Sequence, residues 1–175
     1  YYVVNKYSKA QLVSIFRKYG EAQEANAVAN KIVETRNNED IKTTLQLVEI
    51  IKSAVSKKTI FKHKHPARIY FQAIRMEVNH ELEVLSSFIN EVTKYLKVNG
   101  VVAIITFHSL EDRIVKTIFS KLTTSSLPKE IPIINDPNVK FTLVNKKPIV
   151  PTEHEIEENK RSHSAKLRAI KKIKE

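Results

Sequence analysis

The first third of the chain repeats apolar residues every three to four positions, which is the period of an amphipathic helix. Ser8 and Gln11 form the pattern of a capping box at the start of one predicted helix, and Gly20 is its predicted end. A second helix is predicted over 21–36, and Thr44 is predicted to cap a third. The pattern therefore indicates a subdomain of short helices.

The most regular apolar stripe of the chain begins after Pro66 and predicts one continuous helix as far as Asn99-Gly100. Its apolar positions are spaced by three or four: Phe71, Ile74, Val78, Leu82, Leu85, Ile89, Val92 and Leu96. The next segment, 101–105, is a continuous run of mostly β-branched residues. Such a run is typical of a strand that is buried on both faces.

A second capping pattern follows this strand, with Ser109 as the predicted cap and Asp112 as its partner. The helix that it opens leads into a predicted loop at 123–138. Two strands are predicted after the loop, at 141–144 and 164–173, and they are expected to pair antiparallel at the edge of a sheet. The order helix, strand, helix indicates an α/β layer fold.

Composition narrows the function classes. The 175 residues include no cysteine, which excludes a disulfide scaffold, Cys-ligated zinc and a thiol nucleophile in this stretch. The two glycines, Gly20 and Gly100, stand alone, so no glycine-rich phosphate or dinucleotide loop is present. The formal net charge of +11 favours a nucleic acid or an anionic membrane as partner, and no apolar run is long enough to span a bilayer. Because the chain starts at Tyr1 without a signal peptide, we expect it to begin inside a larger protein.

The connector 52–68 holds six cations and no acid. It is predicted to be either a solvated linker or a strip that contacts phosphates. Its two histidines, His63 and His65, could join His80 at a metal, but no carboxylate cluster at ligand spacing accompanies them. No metal site is therefore predicted.

Five polar side chains crowd the turn after the buried strand: His108, Ser109, Glu111, Asp112 and Arg113. Ligands of open α/β sheets bind outside the carboxyl ends of strands, and the helix N-terminus here adds free N–H groups. The competing interpretation is that three of the five only cap the helix. A Ser-His-Asp hydrolase is disfavoured, because adjacency in sequence is not triad geometry.

Two basic surfaces complete the candidate set. Arg68, Gln72, Arg75 and Asn79 recur on one side of the predicted long helix, where they suit bases or phosphates, the docking of two subdomains, or an ordinary surface. The tail, 160–174, carries cations between small and apolar residues. It is predicted to be both a basic edge strand and a nucleic-acid contact.

Three blocks of residues resemble the RsmH (MraW) family of S-adenosylmethionine-dependent methyltransferases, which modify a cytosine N4 in 16S ribosomal RNA. The first block combines HPA at 65–67, FQAIR at 71–75, VN at 78–79 and EL at 81–82. The second is TFHSLEDRIVK at 106–116. The third is KPI at 147–149 with Pro151, Glu155 and the stretch 159–168.

The resemblance implies the C-terminal part of a class I, Rossmann-like methyltransferase core with an inserted all-helical subdomain. Residues 1–65 would form the insertion and its basic connector, and residues 66–175 would belong to the core. The family's donor-binding segment precedes Tyr1, so no cofactor-binding residue is expected in this chain, which alone should be inactive and should bind S-adenosylmethionine poorly. The protein is expected in the cytoplasm, away from membranes. Its oligomeric state is left undecided, with a homodimer among the alternatives.

The same resemblance, combined with position, gives the expected site residues. His108, Ser109, Glu111 and Asp112 are expected to form the active-site wall nearest the target base. Two rival hypotheses stay open, a noncatalytic basic RNA-binding module and a structural helical adaptor. The residues expected to contact RNA, or in part to dock the subdomains, are Arg68, Gln72, Arg75, Asn79, Arg113, Arg161, Lys166 and Arg168.

Overall fold

The computed structural model describes residues 1–62, 65–125, 136 and 138–175. Contacts between α-carbons divide the chain into two compact units, Tyr1–Glu81 and Leu82–Glu175. His63, Lys64 and most of the predicted loop at 123–138 lie outside the described residues.

The first unit is helical. The capping box of Ser8 and Gln11 is confirmed, with Gln11 N–H donating to the Ser8 hydroxyl and the Gln11 side chain accepting from Ser8 N–H. The third predicted helix is capped by Thr43, one residue before the predicted cap. The helices are α1 (Tyr2–Lys6), α2 (Lys9–Lys18), α3 (Ala25–Arg36), α4 (Thr44–Ala54), α5 (Lys57–Lys62) and α6 (Arg68–Asn79).

Aromatic packing joins α2 to α6 in the core of this unit. The rings of Phe16 and Tyr70 meet edge to face with centroids 5.0 Å apart, and both side chains are buried. Burial raises the pKa of the Tyr70 hydroxyl to about 12. Arg36 at the end of α3 donates to the carbonyls of Val4 and Tyr7, which fixes α1 against α3.

The prediction of one continuous helix from Pro66 to residue 96 is wrong. His80 has a φ of 50°, in the left-handed region, and separates α6 from α7 (Glu81–Tyr95). A single left-handed residue ends a helix without disturbing the spacing of the apolar side chains around it, so the periodicity could not reveal it. Val78, just before the break, is 58% exposed although it lies on the predicted apolar stripe.

The second unit places helices on a small antiparallel sheet. Its strands are β1 (Val101–Thr106), β2 (Phe141–Leu143) and β3 (Lys166–Lys172). Among the described residues the strand order is β1-β3-β2, with Ala103 of β1 opposite Ala169 of β3 and Phe141 of β2 opposite Lys172. A 3₁₀ helix, Lys160–Ser164, precedes β3. The elements after α7 are β1 (Val101–Thr106), α8 (Ser109–Thr123), β2 (Phe141–Leu143), α9 (Glu153–Glu158) and β3 (Lys166–Lys172).

Two expectations about the strands are corrected. β1 is buried on one face rather than two, because α7 and α8 supply the core residues on that face and leave Val101 and Ile105 more than half exposed. β3 is the central strand of the described sheet, not an edge, since it pairs with both β1 and β2. The antiparallel pairing of the two late strands is confirmed.

The predicted division after residue 65 differs from the division into compact units. α6 packs with α2 and belongs to the first unit, so the boundary between units falls at Glu81 and Leu82. The basic connector is not a plain linker, because α5 lies within it. Within the described ranges, no helix combines the length and the apolar character that crossing a bilayer requires.

Candidate functional site

Reciprocal hydrogen bonds fix the turn between β1 and α8. His108 Nδ1 accepts from the backbone N–H of Glu111 at 3.3 Å, and Glu111 Oε2 accepts from the backbone N–H groups of His108 at 3.3 Å and Phe107 at 2.9 Å. His108 is therefore the cap, and the predicted Ser109–Asp112 capping box is wrong by one residue. Both His108–Glu111 and Ser109–Asp112 place a polar residue three positions before an acid, so the local sequence could not distinguish the two capping boxes.

This arrangement fixes the tautomer of the histidine. A neutral imidazole whose Nδ1 accepts carries its proton on Nε2. His108 Nε2 is buried and forms no directed hydrogen bond with any residue that the structure describes, although Glu111 Oε1 lies 3.2 Å away. The turn therefore holds a donor whose hydrogen-bonding capacity the described protein groups leave unused.

Asp112 binds β3 instead of capping α8. Its Oδ1 accepts from Arg168 Nε at 2.7 Å and its Oδ2 accepts from Arg168 Nη2 at 3.1 Å, with both side chains largely buried. Lys166 Nζ lies 3.7 Å from the same carboxylate and is more exposed. The hydrogen bonds from Arg168, helped by both positive charges, lower the pKa of Asp112 below its ordinary value. Asp112 is thus a weak base that joins α8 to β3.

The other two polar residues of the turn face outward. Ser109 is exposed at the first position of α8, and its hydroxyl forms no hydrogen bond with a described residue. Arg113 is also exposed. Neither side chain is consumed by capping, so both are accessible at this end of the sheet.

In the first unit, the polar stripe of α6 is largely engaged within the protein. Gln72 Nε2 donates to the Tyr19 carbonyl at 3.2 Å, which ties α6 to the end of α2. Arg75 donates twice to the carboxylate of Glu81, at 2.7 and 2.9 Å, and Asn79 donates to the same carboxylate at 3.2 Å. Sequence reasoning missed the role of Glu81, because the predicted helix ran through residue 81 and the break at His80 was not foreseen.

The remaining predicted RNA contacts differ in how accessible they are. Arg68 is exposed, and its side chain has no hydrogen bond or ion pair among the described residues. Arg161 is likewise exposed without a side-chain partner in the described part of the chain. Arg168 is committed to Asp112, and Lys166 lies beside that pair. Arg68 and Arg161 are therefore the best placed of these cations to meet a phosphate.

Comparison with known proteins decides the family. The sequence profile of the MraW methylase family matches residues 1–173. The chain belongs to the MraW methylase family.

Curated relatives agree with this membership. Ribosomal RNA small subunit methyltransferase H of Ureaplasma urealyticum serovar 10 is 51% identical over 172 residues, which are 98% of this chain and 55% of that protein. The protein of the same name from Ureaplasma parvum serovar 3 is 51% identical over 170 residues, 97% of this chain and 54% of its own length. That of Streptococcus mutans serotype c is 47% identical over 173 residues, 98% and 55% respectively. The chain thus spans about half the length of the curated relatives it matches.

Two of the sequence blocks that suggested the MraW family meet in space. The block 106–116 supplies β1, the turn and the start of α8, whereas Lys166 and Arg168 come from the end of the third block. Their contact is the bidentate pair of Asp112 with Arg168. In this MraW methylase chain, the acidic turn and the basic tail therefore form one structural feature.

Proposed function

We propose that this chain is the C-terminal part of an S-adenosylmethionine-dependent methyltransferase that methylates the exocyclic N4 of a cytosine in the decoding region of 16S rRNA. In this proposal residues 66–175 belong to a Rossmann-like core, and residues 1–65 form an inserted helical subdomain. The protein acts in the cytoplasm on the small ribosomal subunit.

The observation that carries the proposal is the family match over residues 1–173, together with relatives named ribosomal RNA small subunit methyltransferase H. The structure adds a capped turn at the carboxyl end of β1, which is where ligands would bind in the Rossmann-like core of this proposal. The net charge of +11 suits a phosphate-rich substrate.

Neither glycine of the chain lies in a glycine-rich loop of the kind that cradles a methyl donor. A Cβ added to Gly20 would lie 2.8 Å from the Ile69 carbonyl oxygen, and one added to Gly100 would lie 2.8 Å from that of Lys97. Both glycines thus serve close packing of backbone rather than a loop around a ligand. We assign donor binding to the part of the longer relatives that this chain does not match, and we derive no step through the cofactor.

The chain's own residues would act on the acceptor base. The amino group of cytosine is a weak nucleophile because its lone pair is delocalised into the ring, so alignment and local charge dominate catalysis. Both oxygens of Asp112 are occupied by Arg168, which makes Asp112 a positioning residue in this proposal. His108 Nε2, Glu111 Oε1 and the exposed Ser109 hydroxyl are groups of the turn with hydrogen-bonding capacity left for a base.

The test is methylation of small ribosomal subunits from a strain that lacks the modification, using the complete gene product that carries this chain. Mass spectrometry of the rRNA nucleosides should show N4-methylcytidine, and nuclease mapping should place it in the decoding region. RNA binding without methyl transfer would favour the noncatalytic RNA-binding module instead. The helical adaptor would show neither activity.

A further inference from the structure

The short helix α5 of the first unit exposes an aromatic ring. Phe61 is 90% exposed, more than any other large apolar side chain that the structure describes. Its neighbour Ile60 is 42% exposed. Phenylalanine is usually buried, because its ring has a large apolar area and no polar group to hydrate. The ring of Phe61 is therefore a candidate for a contact outside the described protein.

Two lysines share one side of α5 with this ring. Lys57 and Lys58 precede Phe61 by four and three positions, which places all three on one side of a helix. Both lysines are exposed, and neither forms an ion pair or a hydrogen bond with a residue that the structure describes. We call this set of three residues the α5 face. Three other lysines of the same unit instead pair with a glutamate three positions away: Lys31 with Glu34, Lys42 with Glu39 and Lys52 with Glu49.

The start of α5 is anchored to the rest of the helical unit. Val55, directly before it, is buried, and its N–H donates to the Ile51 carbonyl at 3.1 Å. Ser56 N–H donates to Glu24 Oε1 at 2.9 Å, and the Ser56 hydroxyl accepts from Thr59 N–H at 3.3 Å. Because Glu24 lies at the start of α3, these bonds join α5 to α3. The α5 face therefore belongs to an anchored helix and not to a free linker.

The chemistry of the α5 face favours a polyanion with exposed planar groups. No acid occurs anywhere in the connector 52–68, so no acid within the connector neutralises its lysines. Lysine ammonium groups bind phosphates as point charges, and an aromatic ring stacks on an unpaired base. A duplex hides the faces of its bases, so a single strand fits better. An anionic membrane would need a broader apolar face than one ring and one half-exposed isoleucine on a helix of six residues.

We propose that the α5 face binds single-stranded RNA of the small ribosomal subunit, with one base stacked on Phe61 and the adjoining phosphates on Lys57 and Lys58. The inference rests on the proposed function for the choice of ribosomal RNA as partner. It concerns a base other than the one that is methylated. Since every base has a π face, the contact requires no particular base at this position. The α5 face thus adds affinity for the strand and takes no part in methyl transfer itself.

The binding test is fluorescence anisotropy of a short labelled oligouridylate with the complete gene product over a salt series. Phe61→Leu should weaken binding about fivefold or more and leave the slope of log affinity against log salt unchanged, because it removes the ring and no charge. Phe61→Trp should bind at least as tightly as the wild type. The double variant Lys57→Gln, Lys58→Gln should reduce the slope by about 1.4, since each phosphate of a single strand contributes about 0.7.

Matched controls come from the same unit. Leu45→Ala shortens an apolar side chain that is 76% exposed, and Lys52→Gln removes a cation of the connector that is already paired with Glu49. Both should bind RNA like the wild type. Wild-type affinity in Phe61→Leu, or an equal loss in Leu45→Ala, would overturn the stacking contact. Binding to phosphatidylglycerol vesicles that depends on Phe61, with RNA binding that does not, would overturn it in favour of a membrane.

Methyl transfer to small subunits scores the proposed function separately. In that assay Phe61→Leu should raise KM for the subunits and leave kcat unchanged, because the ring contributes binding alone. Transfer by the wild type, with no effect of Phe61→Leu on KM or on RNA affinity, refutes the α5 contact alone. Absence of transfer, together with RNA binding that depends on Phe61, refutes the methyltransferase proposal and leaves the contact standing.

Discussion

Asp112 and Arg168 form a bidentate ion pair across 56 residues of sequence, with nitrogen–oxygen distances of 2.7 and 3.1 Å. Their side chains are only 13% and 14% exposed. The pair connects the first turn of α8 to the central strand β3, and so it determines where the turn at His108 lies on the sheet. Its strength can be tested by substitution.

Removing one partner of this pair should be costly. Asp112→Ala leaves the Arg168 guanidinium buried without its carboxylate, and breaking a buried pair in this way costs about 3–5 kcal/mol. Urea denaturation of the complete gene product, followed by circular dichroism, measures the change. Glu91→Ala is the matched control, because it breaks the exposed pair with Lys94 and should cost no more than about 1 kcal/mol. Equal losses of unfolding free energy in the two variants would show that the buried pair stabilises the fold no more than the exposed pair does.

The same pair makes the free energy of unfolding depend on pH, in a direction that follows from the lowered pKa of Asp112. The pKa of Asp112 in the folded protein is lower than its ordinary value of 3.8, chiefly because of the Arg168 hydrogen bonds. Its contribution to stability is therefore fully present above the unfolded pKa and is lost as the pH falls through the folded pKa. The difference in unfolding free energy between the wild type and Asp112→Asn should stay constant above about pH 5 and shrink below pH 4. A difference that grew on acidification would contradict this assignment.

Much of the fold follows from local sequence signals, and the exceptions have physical reasons. The box at Ser8 forms as its capping pattern predicts, since it needs only residues three apart. The bond between Asp112 and Arg168 joins distant segments, and no local pattern marks it. It removes Asp112 from the helix cap and leaves that role to His108 and Glu111.

That a turn with polar residues follows β1 was predictable from the sequence, but the hydrogen bonds of its side chains were not. The turn 107–113 was identified because polar residues follow a buried strand. Which polar groups the protein itself consumes depends on tertiary contacts, such as Glu81 with Arg75 or Tyr19 with Gln72. The bridge between Ile149 and Leu167 ties the segment before Pro151 to β3, and no pattern in the sequence indicates it.

The left-handed residue between α6 and α7 predicts a stabilising substitution. His80 has a φ of 50°, a conformation that costs a residue with a Cβ about 1 kcal/mol or more and costs glycine little. His80→Gly should raise the unfolding free energy by up to about 1 kcal/mol, and His80→Val should lower it. Thermal and urea denaturation give the comparison. If both substitutions destabilise equally, the histidine side chain has a structural role that outweighs its backbone strain.

Two polar residues of α6, Arg68 and Gln72, are expected to affect RNA binding and stability differently when they are substituted. Arg68 is exposed without a described partner, so Arg68→Gln should weaken binding of small-subunit RNA and reduce the slope of log affinity against log salt by about one. Gln72 donates to the Tyr19 carbonyl, so Gln72→Leu should leave that slope unchanged and lower stability by about 1 kcal/mol. Fluorescence anisotropy over a salt series separates the two variants. An unchanged slope for Arg68→Gln would remove that residue from the RNA surface.

His108 tests whether the turn is more than a helix cap. Asparagine caps helices well, so His108→Asn should retain the cap and most of the stability, whereas His108→Ala should lose about 0.5–2 kcal/mol. Asparagine lacks the imidazole Nε2, which lies buried with its donor capacity unused by the described residues. If that nitrogen holds the substrate base, His108→Asn should methylate small subunits at least about tenfold more slowly while unfolding like the wild type. Full activity in His108→Asn, together with a loss in His108→Ala that only follows its lower stability, would reduce the role of His108 to capping α8.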